Sequence, residues 1–245
     1  ILSGLVGSEM CIRDSRYTVA WIDCLAKGRS LGRGHYIRGN HASPSLGRLE
    51  LASPKPKVVP LHFPSWTLNP LTVSLFNFAY YNKQRAKVRR LVQHYAPFFY
   101  PLDAIQHWNR IYGKRGFYQY QCVVPFETGT DAIREILTEI SRAGQGSFLA
   151  VLKTFGNIPS IGMLSFPRPG VTLALDFPNV GHRVLQLFER LDAITKASHG
   201  AVYPAKDARM SADSFQAFYP QWHDFSQYVD PQFSSSFWRR VTESK

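Results

Sequence analysis

The sequence predicts an α+β fold, a ferredoxin-like antiparallel sheet with its helices on one face. Three observations predict it. Runs rich in aromatic and β-branched residues, such as FYQYQCVVP at 117–125 and VTLALDFP at 171–178, read as strands. Two stretches space apolar side chains at the helical period: Ile133, Ile136, Leu137 and Ile140, then Val184, Leu187, Phe188, Leu191 and Ile194. From Phe117 onward these signals follow the order β, α, β, β, β, α, β, which is the ferredoxin-like order with one extra strand.

Taken from the N-terminus, residues 1–15 (ILSGLVGSEMCIRDS) begin with Ile1, show no periodicity and are set aside as a non-native or disordered stretch. YTVAWID at 17–23 alternates as a strand. The glycine-rich GRSLGRGHYIRGNHA behind it reads as a loop bordering a site, or simply as turns. Gly28, Gly32, Gly34 and Gly39 do not follow the GxGxxG dinucleotide fingerprint. Ser43–Val59, rich in Ser, Pro and Lys, has the composition of a linker. Leu61–Tyr81 then mixes aromatics with proline, KQRAKVRR at 83–90 is the densest basic run, and FFYPLD at 98–103 reads as a shaped loop. Beyond FYQYQCVVP come a helix over 131–142, the strands SFLAVLKTFG, GMLSFP and VTLALDFP, a second helix ending near Gly200, and the strand AVYPAK at 201–206. These breaks divide the chain into 1–15, 16–60, 61–215 and 216–245.

Composition narrows the function classes. With 245 residues, 44% of them hydrophobic and 14% aromatic, the chain can bury a substantial core in one large or two small domains. Cys11, Cys24 and Cys122 show no CxxC spacing and leave an odd thiol, so neither a disulfide framework nor a zinc site is expected and a reducing compartment is favoured. The eight histidines form no HxH or HExxH pattern, so no metal is expected. No apolar run of roughly 18 residues and no secretory pattern occurs, so no spanning helix is expected. The formal charge of +12 suits an anionic substrate, anionic lipid or nucleic acid without choosing among them. No nucleic-acid motif accompanies the charge, so nucleic acid is not an expected partner. KQRAKVRR itself reads as a solvated face, with phosphate or membrane-surface contact as the alternative.

The candidate site residues are the polar groups that stand out on these strands. Side chains two apart on a strand share a face, so Gln119 and Gln121 point together, as do Lys153 and Phe155. Leu152 and Phe148 are expected on the opposite, helix-covered face. Lys206 lies close to Tyr203 in AVYPAKDARM, a lone lysine that a plain core would not select. The ordinary alternatives are a Lys206 ion pair with Asp207, a wet strand face for the glutamines, an exposed Lys153, and core packing for Phe155, Tyr203 and Trp108.

Over Tyr17–Arg240, the segments YTVAWIDCLAKG, FFYPLD, HWNRIYG, YQYQCVVP, FLAVLKTFG, LSFPRPG, LALDFP, YPAKDARM and DPQFSSSFWRR resemble the decaprenylphosphoryl-ribose oxidase type of FAD-linked oxidase. This type belongs to the wider vanillyl-alcohol-oxidase fold, related to the aldonolactone oxidases. The resemblance implies that 16–60 is the C-terminal remnant of an FAD-binding domain, 61–215 a substrate or cap domain, and 216–245 a segment returning toward the FAD domain. It implies FAD as cofactor, with Lys206 reaching flavin and substrate and Tyr203 beside the ring. Gln119 and Gln121 would face the pocket, while Lys153 and Phe155 would line the substrate site. The family's strand cysteine is matched by Ala174 and an asparagine by Thr172, so covalent trapping at that strand is not expected.

The implied reaction oxidises a secondary alcohol of a sugar, most simply a polyprenyl-phosphate pentose, by hydride transfer to flavin. The resemblance also implies a short-chain reductase as partner, and a cytoplasmic location, peripheral at the inner membrane. Most of the family's FAD domain would precede Tyr17, so this chain alone is expected to bind FAD poorly and to be inactive. The alternatives are an aldonolactone or alditol oxidase, and, from another class, a basic nucleic-acid or membrane-surface binding module.

Overall fold

The computed structural model describes residues 15–43, 57–207 and 209–242. All but the last residue of the stretch 1–15, and most of the expected linker, lie outside the described residues.

In β1, Tyr17–Ile22, alternation places Ala20 and Ile22 fully inside. Trp21 faces the other way and donates its indole N–H to the Phe148 carbonyl at 2.9 Å. The glycine-rich stretch expected as a loop contains β2, Gly34–Gly39, which pairs antiparallel with β1 from Ile22↔Gly34 to Tyr17↔Gly39. Its glycines sit at the two ends of the strand, and His35, Tyr36 and Ile37 between them supply strand-compatible side chains.

Next come a short parallel pair, β3 (Lys57–Val58) with β4 (Ile105–Gln106), and two helices, α1 (Pro70–Asn82) and α2 (Ala96–Phe99). The start of α1 is set by a capping box. The Asn69 side chain accepts from the Leu71 and Thr72 amides, and the Thr72 hydroxyl accepts from the Asn69 amide. KQRAKVRR follows the helix as an exposed, irregular segment.

The remaining elements alternate: β5 (Phe117–Val124), α3 (Phe126–Ala143), β6 (Ala150–Phe155), β7 (Gly170–Pro178), α4 (His182–Ala197) and β8 (Ala201–Val202). Gly144, in the left-handed region at φ 63°, stops α3. GMLSFP, expected as a strand, lies in an irregular connection between β6 and β7. Pro159, Pro167 and Pro169 remove backbone donors along that connection, and the apolar signal came instead from Phe166, which is buried as a single anchoring side chain. After β8, Pro204–Lys206 forms one 3₁₀ turn, and the chain closes with α5 (Ala212–Phe218), α6 (Trp222–Ser226) and α7 (Ser236–Thr242).

One antiparallel sheet runs β2-β1-β6-β7-β5-β8, so β1 and β2 continue the sheet that the later strands form. The fold is therefore α+β, with a mostly antiparallel sheet. Helices α3 and α4 cover one face. Ile133, Ile136, Leu137, Ile140, Val184, Leu187 and Leu191 are fully buried in one cluster with Cys122, Val124, Ala150, Leu152, Leu173 and Phe177. Leu152 thus lies where expected. Phe148 precedes β6 and is only half-buried, with its ring stacked on Tyr112.

Candidate functional site

The strand residues that point away from α3 and α4 assemble the candidate site. Cross-strand partners share a face, so Gln119↔Asp176, Gln121↔Ala174, Val151↔Ala174 and Lys153↔Thr172 all lie on this side. Tyr203 joins them at the sheet edge, its amide donating to the Gln121 carbonyl at 2.8 Å. All six candidate residues therefore occupy one face or its edge.

At the centre is a chain of three side chains. The Lys206 ammonium donates to Gln119 Oε1 at 2.8 Å, and Gln119 Nε2 donates to Asp176 Oδ1 at 3.0 Å. An ammonium only donates and a carboxylate only accepts, so this arrangement fixes which way the amide points. The Tyr112 hydroxyl donates to the second carboxylate oxygen of Asp176 at 3.4 Å. Burial raises the Asp176 pKa above the ordinary carboxylate range, against the lowering effects of Gln119, Tyr112 and the Lys206 charge. Burial and the neighbouring Asp176 likewise push the Tyr112 phenol far upward, so it remains a donor.

Lys206 is not paired with its neighbour Asp207. That carboxylate is engaged by Arg240 of α7 and by the Met210 amide. The segment carrying Lys206 is held further by the Asp192–Arg209 ion pair at 3.1 Å and by the Tyr219 hydroxyl on the Val202 carbonyl at 2.9 Å. A shallow cleft beside Lys206 is lined by Gln119, Asp192, Val202 and Arg209 among others.

The remaining candidates connect through intermediaries. Gln121 Nε2 donates to the Thr172 hydroxyl at 3.2 Å, and Thr172 is the cross-strand partner of Lys153, which is exposed. Phe155 meets Phe166 edge-on at 5.9 Å between ring centroids, and Phe166 stacks on Tyr203 at 4.6 Å. The result is an open platform with an ammonium, two amides and an aromatic wall. Sequence reasoning missed Asp176, Tyr112 and Phe166. Asp176 was detectable, because it shares strand parity with Thr172 and Ala174 and is the one acid in an otherwise apolar strand.

No family model matches the chain. Over 237 residues, 92% of its length, it is 35% identical to the decaprenylphosphoryl-β-D-ribose oxidase of Mycolicibacterium smegmatis. Over that shared span the chain is similar to this type of oxidase. The chain covers 51% of that relative, so it spans about half the relative's length. It is also 29% identical over 252 residues to a Streptomyces coelicolor protein described as an uncharacterized protein in the mprA 5′ region, covering 68% of it. Among the described residues, no helix is long and apolar enough to cross a membrane.

Proposed function

We infer that this chain supplies the substrate-facing sheet of an FAD-dependent oxidoreductase that oxidises a secondary alcohol of a sugar, in the first instance a polyprenyl-phosphate pentose. The observation that carries this reading is the fixed Lys206–Gln119–Asp176 chain on the sheet face that α3 and α4 do not cover. The strand order β8-β5-β7-β6, with α3 and α4 on one side, supports a ferredoxin-like description of the substrate domain.

The residues present fit a flavin. The open face offers a cation and the Tyr203 ring at one edge, which suits a flat group that gains negative charge. Lys206 and Tyr203 would hold FAD, and FAD when bound supplies the acceptor for the two electrons leaving the carbinol carbon. The role of Lys206 is electrostatic: a cation already seated on Gln119 stabilises developing negative charge without first losing a proton. Asp176 fixes the amide of Gln119 and so the position of Lys206. Gln121 offers its carbonyl side to a sugar hydroxyl while Thr172 holds its N–H. Lys153, exposed beside them, suits a phosphate oxygen, and Phe155 supplies apolar wall. A short-chain reductase as partner rests on the same reading.

The test is the visible spectrum of the whole protein that contains this chain. A flavin spectrum bleached by a polyprenyl-phosphate pentose is expected, with Lys206→Met lowering the rate about 10²-fold or more. A colourless protein that takes up no FAD on reconstitution overturns the reading. Equal turnover of free sugars and aldonolactones instead assigns the related alditol-oxidising activity.

A further inference from the structure

Between Lys57 and Leu102 the chain contains no aspartate or glutamate, yet it holds Lys57, Lys83, Arg85, Lys87, Arg89 and Arg90. Six cations without an acid account for half of the formal +12 of the chain. The same segment is where apolar surface is left open. Among the described residues, 15 of the 22 exposed large apolar side chains fall between Val58 and Tyr100. Isolated exposed apolar residues need no explanation, but a concentration of this kind marks an interaction surface.

The geometry of α1 sharpens this. Its inward side is Val73 and the fully buried Asn77, whose amide donates to Asp23 Oδ1 at 3.0 Å and to the Ser147 carbonyl at 3.3 Å. The opposite side is a stripe at i, i+4 and i+7: Leu71, Leu75 and Phe78, with relative exposures of 77%, 66% and 54%. The helix is thus anchored by a polar residue and presents leucines and a phenylalanine outward, the reverse of a solvated surface helix. Its C-terminus runs directly into the exposed Lys83–Arg90 segment.

We propose that α1 and the basic segment after it form a docking surface for an anionic lipid bilayer, with Leu71, Leu75 and Phe78 entering the interfacial region and Lys83–Arg90 meeting the headgroups. The two halves of the patch match the two parts of such a surface: apolar area buried at the acyl boundary and cations attracted by negative headgroups. Charge argues for this occupant: six cations without an acid are complemented by anionic headgroups, while the rest of this sequence carries the other half of the positive excess. Its test reads vesicle binding and so does not depend on redox activity.

The test is co-sedimentation of the protein with phosphatidylcholine vesicles, with and without about one-third phosphatidylglycerol. Binding is expected only to the anionic vesicles and is expected to weaken as salt is raised. Two variants divide the surface: Leu71→Ser/Leu75→Ser/Phe78→Ser, and Arg85→Glu/Lys87→Glu/Arg89→Glu. Each alters only exposed side chains, and each is expected to lower partitioning about tenfold or more. Unchanged far-ultraviolet circular dichroism confirms that the variants fold. No binding to either vesicle, or binding that both variants retain, overturns the proposal; the former, with self-association lost in the apolar variant, assigns the patch to a protein contact instead. Flavin content and turnover are read separately, so failure of the oxidase reading leaves this result standing.

Discussion

Asp176 shows how much one residue can organise. Buried at 3% exposure, it accepts from Gln119 and Tyr112 and lies within the field of Lys206, yet desolvation still dominates and its pKa is raised. The folded protein therefore keeps this proton to a higher pH than the unfolded chain does. The stability it contributes is complete below the ordinary carboxylate value of about 4 and is lost as pH rises through the folded value. In Asp176→Asn, whose amide stays neutral and can still accept from Gln119, that loss disappears. Urea unfolding at a series of pH values is expected to show the wild type losing stability relative to Asp176→Asn as pH increases above about 4. A parallel pH dependence in the two proteins would contradict the assignment. Of the site, the pairs Gln119/Gln121 and Lys153/Phe155 were legible from strand parity alone. Asp176 was passed over because its strand was read for its apolar run.

At the scale of elements, the tight join between β5 and β7 places the site residues in register. Gly170 opens β7 opposite Phe155, with φ at +154°, and a Cβ there would lie 2.2 Å from the Val124 carbonyl oxygen. That oxygen belongs to backbone held in the sheet and cannot move aside cheaply. Gly170→Ala is expected to destabilise the protein by about 2 kcal/mol or more. Since the β7 register sets the Gln119↔Asp176 pair, the Tyr112 and Gln119 contacts should loosen with it. Thermal unfolding checks the first effect, and a wild-type melting temperature would show that the close approach is not enforced. The helices were legible because their apolar spacing is local. GMLSFP was misread as a strand because burial of one ring at Phe166 imitates a strand pattern, while strand pairing is a long-range fact that no window of sequence contains.

For the molecule as a whole, both described thiols lie in the core. Cys24 and Cys122 are fully buried, and burial pushes the pKa of each up to about 12. A thiol that is neither exposed nor ionised reacts with a disulfide reagent only after the structure opens. In a Cys11→Ser variant, thiol titration is expected to give no signal under native conditions and two thiols per chain after denaturation. Rapid native labelling would mean that the sheet and its helices do not form a closed core. β1 and β2, separated in sequence from the later strands, extend the same sheet through the Ala20↔Leu152 and Trp21↔Val151 pairs, with Ala20 and Ile22 in the shared core.

The sequence by itself determined the α+β class, the two covering helices, the parity of the site residues and, through its motifs, the resemblance to the oxidase type. These depend on local periodicity, or on residue order, which one chain displays directly. Only the tertiary structure decided that Lys206 sits on Gln119 rather than on Asp207, that Asp176 and Tyr112 complete that chain, and that Leu71, Leu75 and Phe78 face outward. The reason is physical. Which of several donors an acceptor meets, and which face of an apolar helix is covered, are set by contacts between segments tens of residues apart, and those exist only once the sheet has closed around its core.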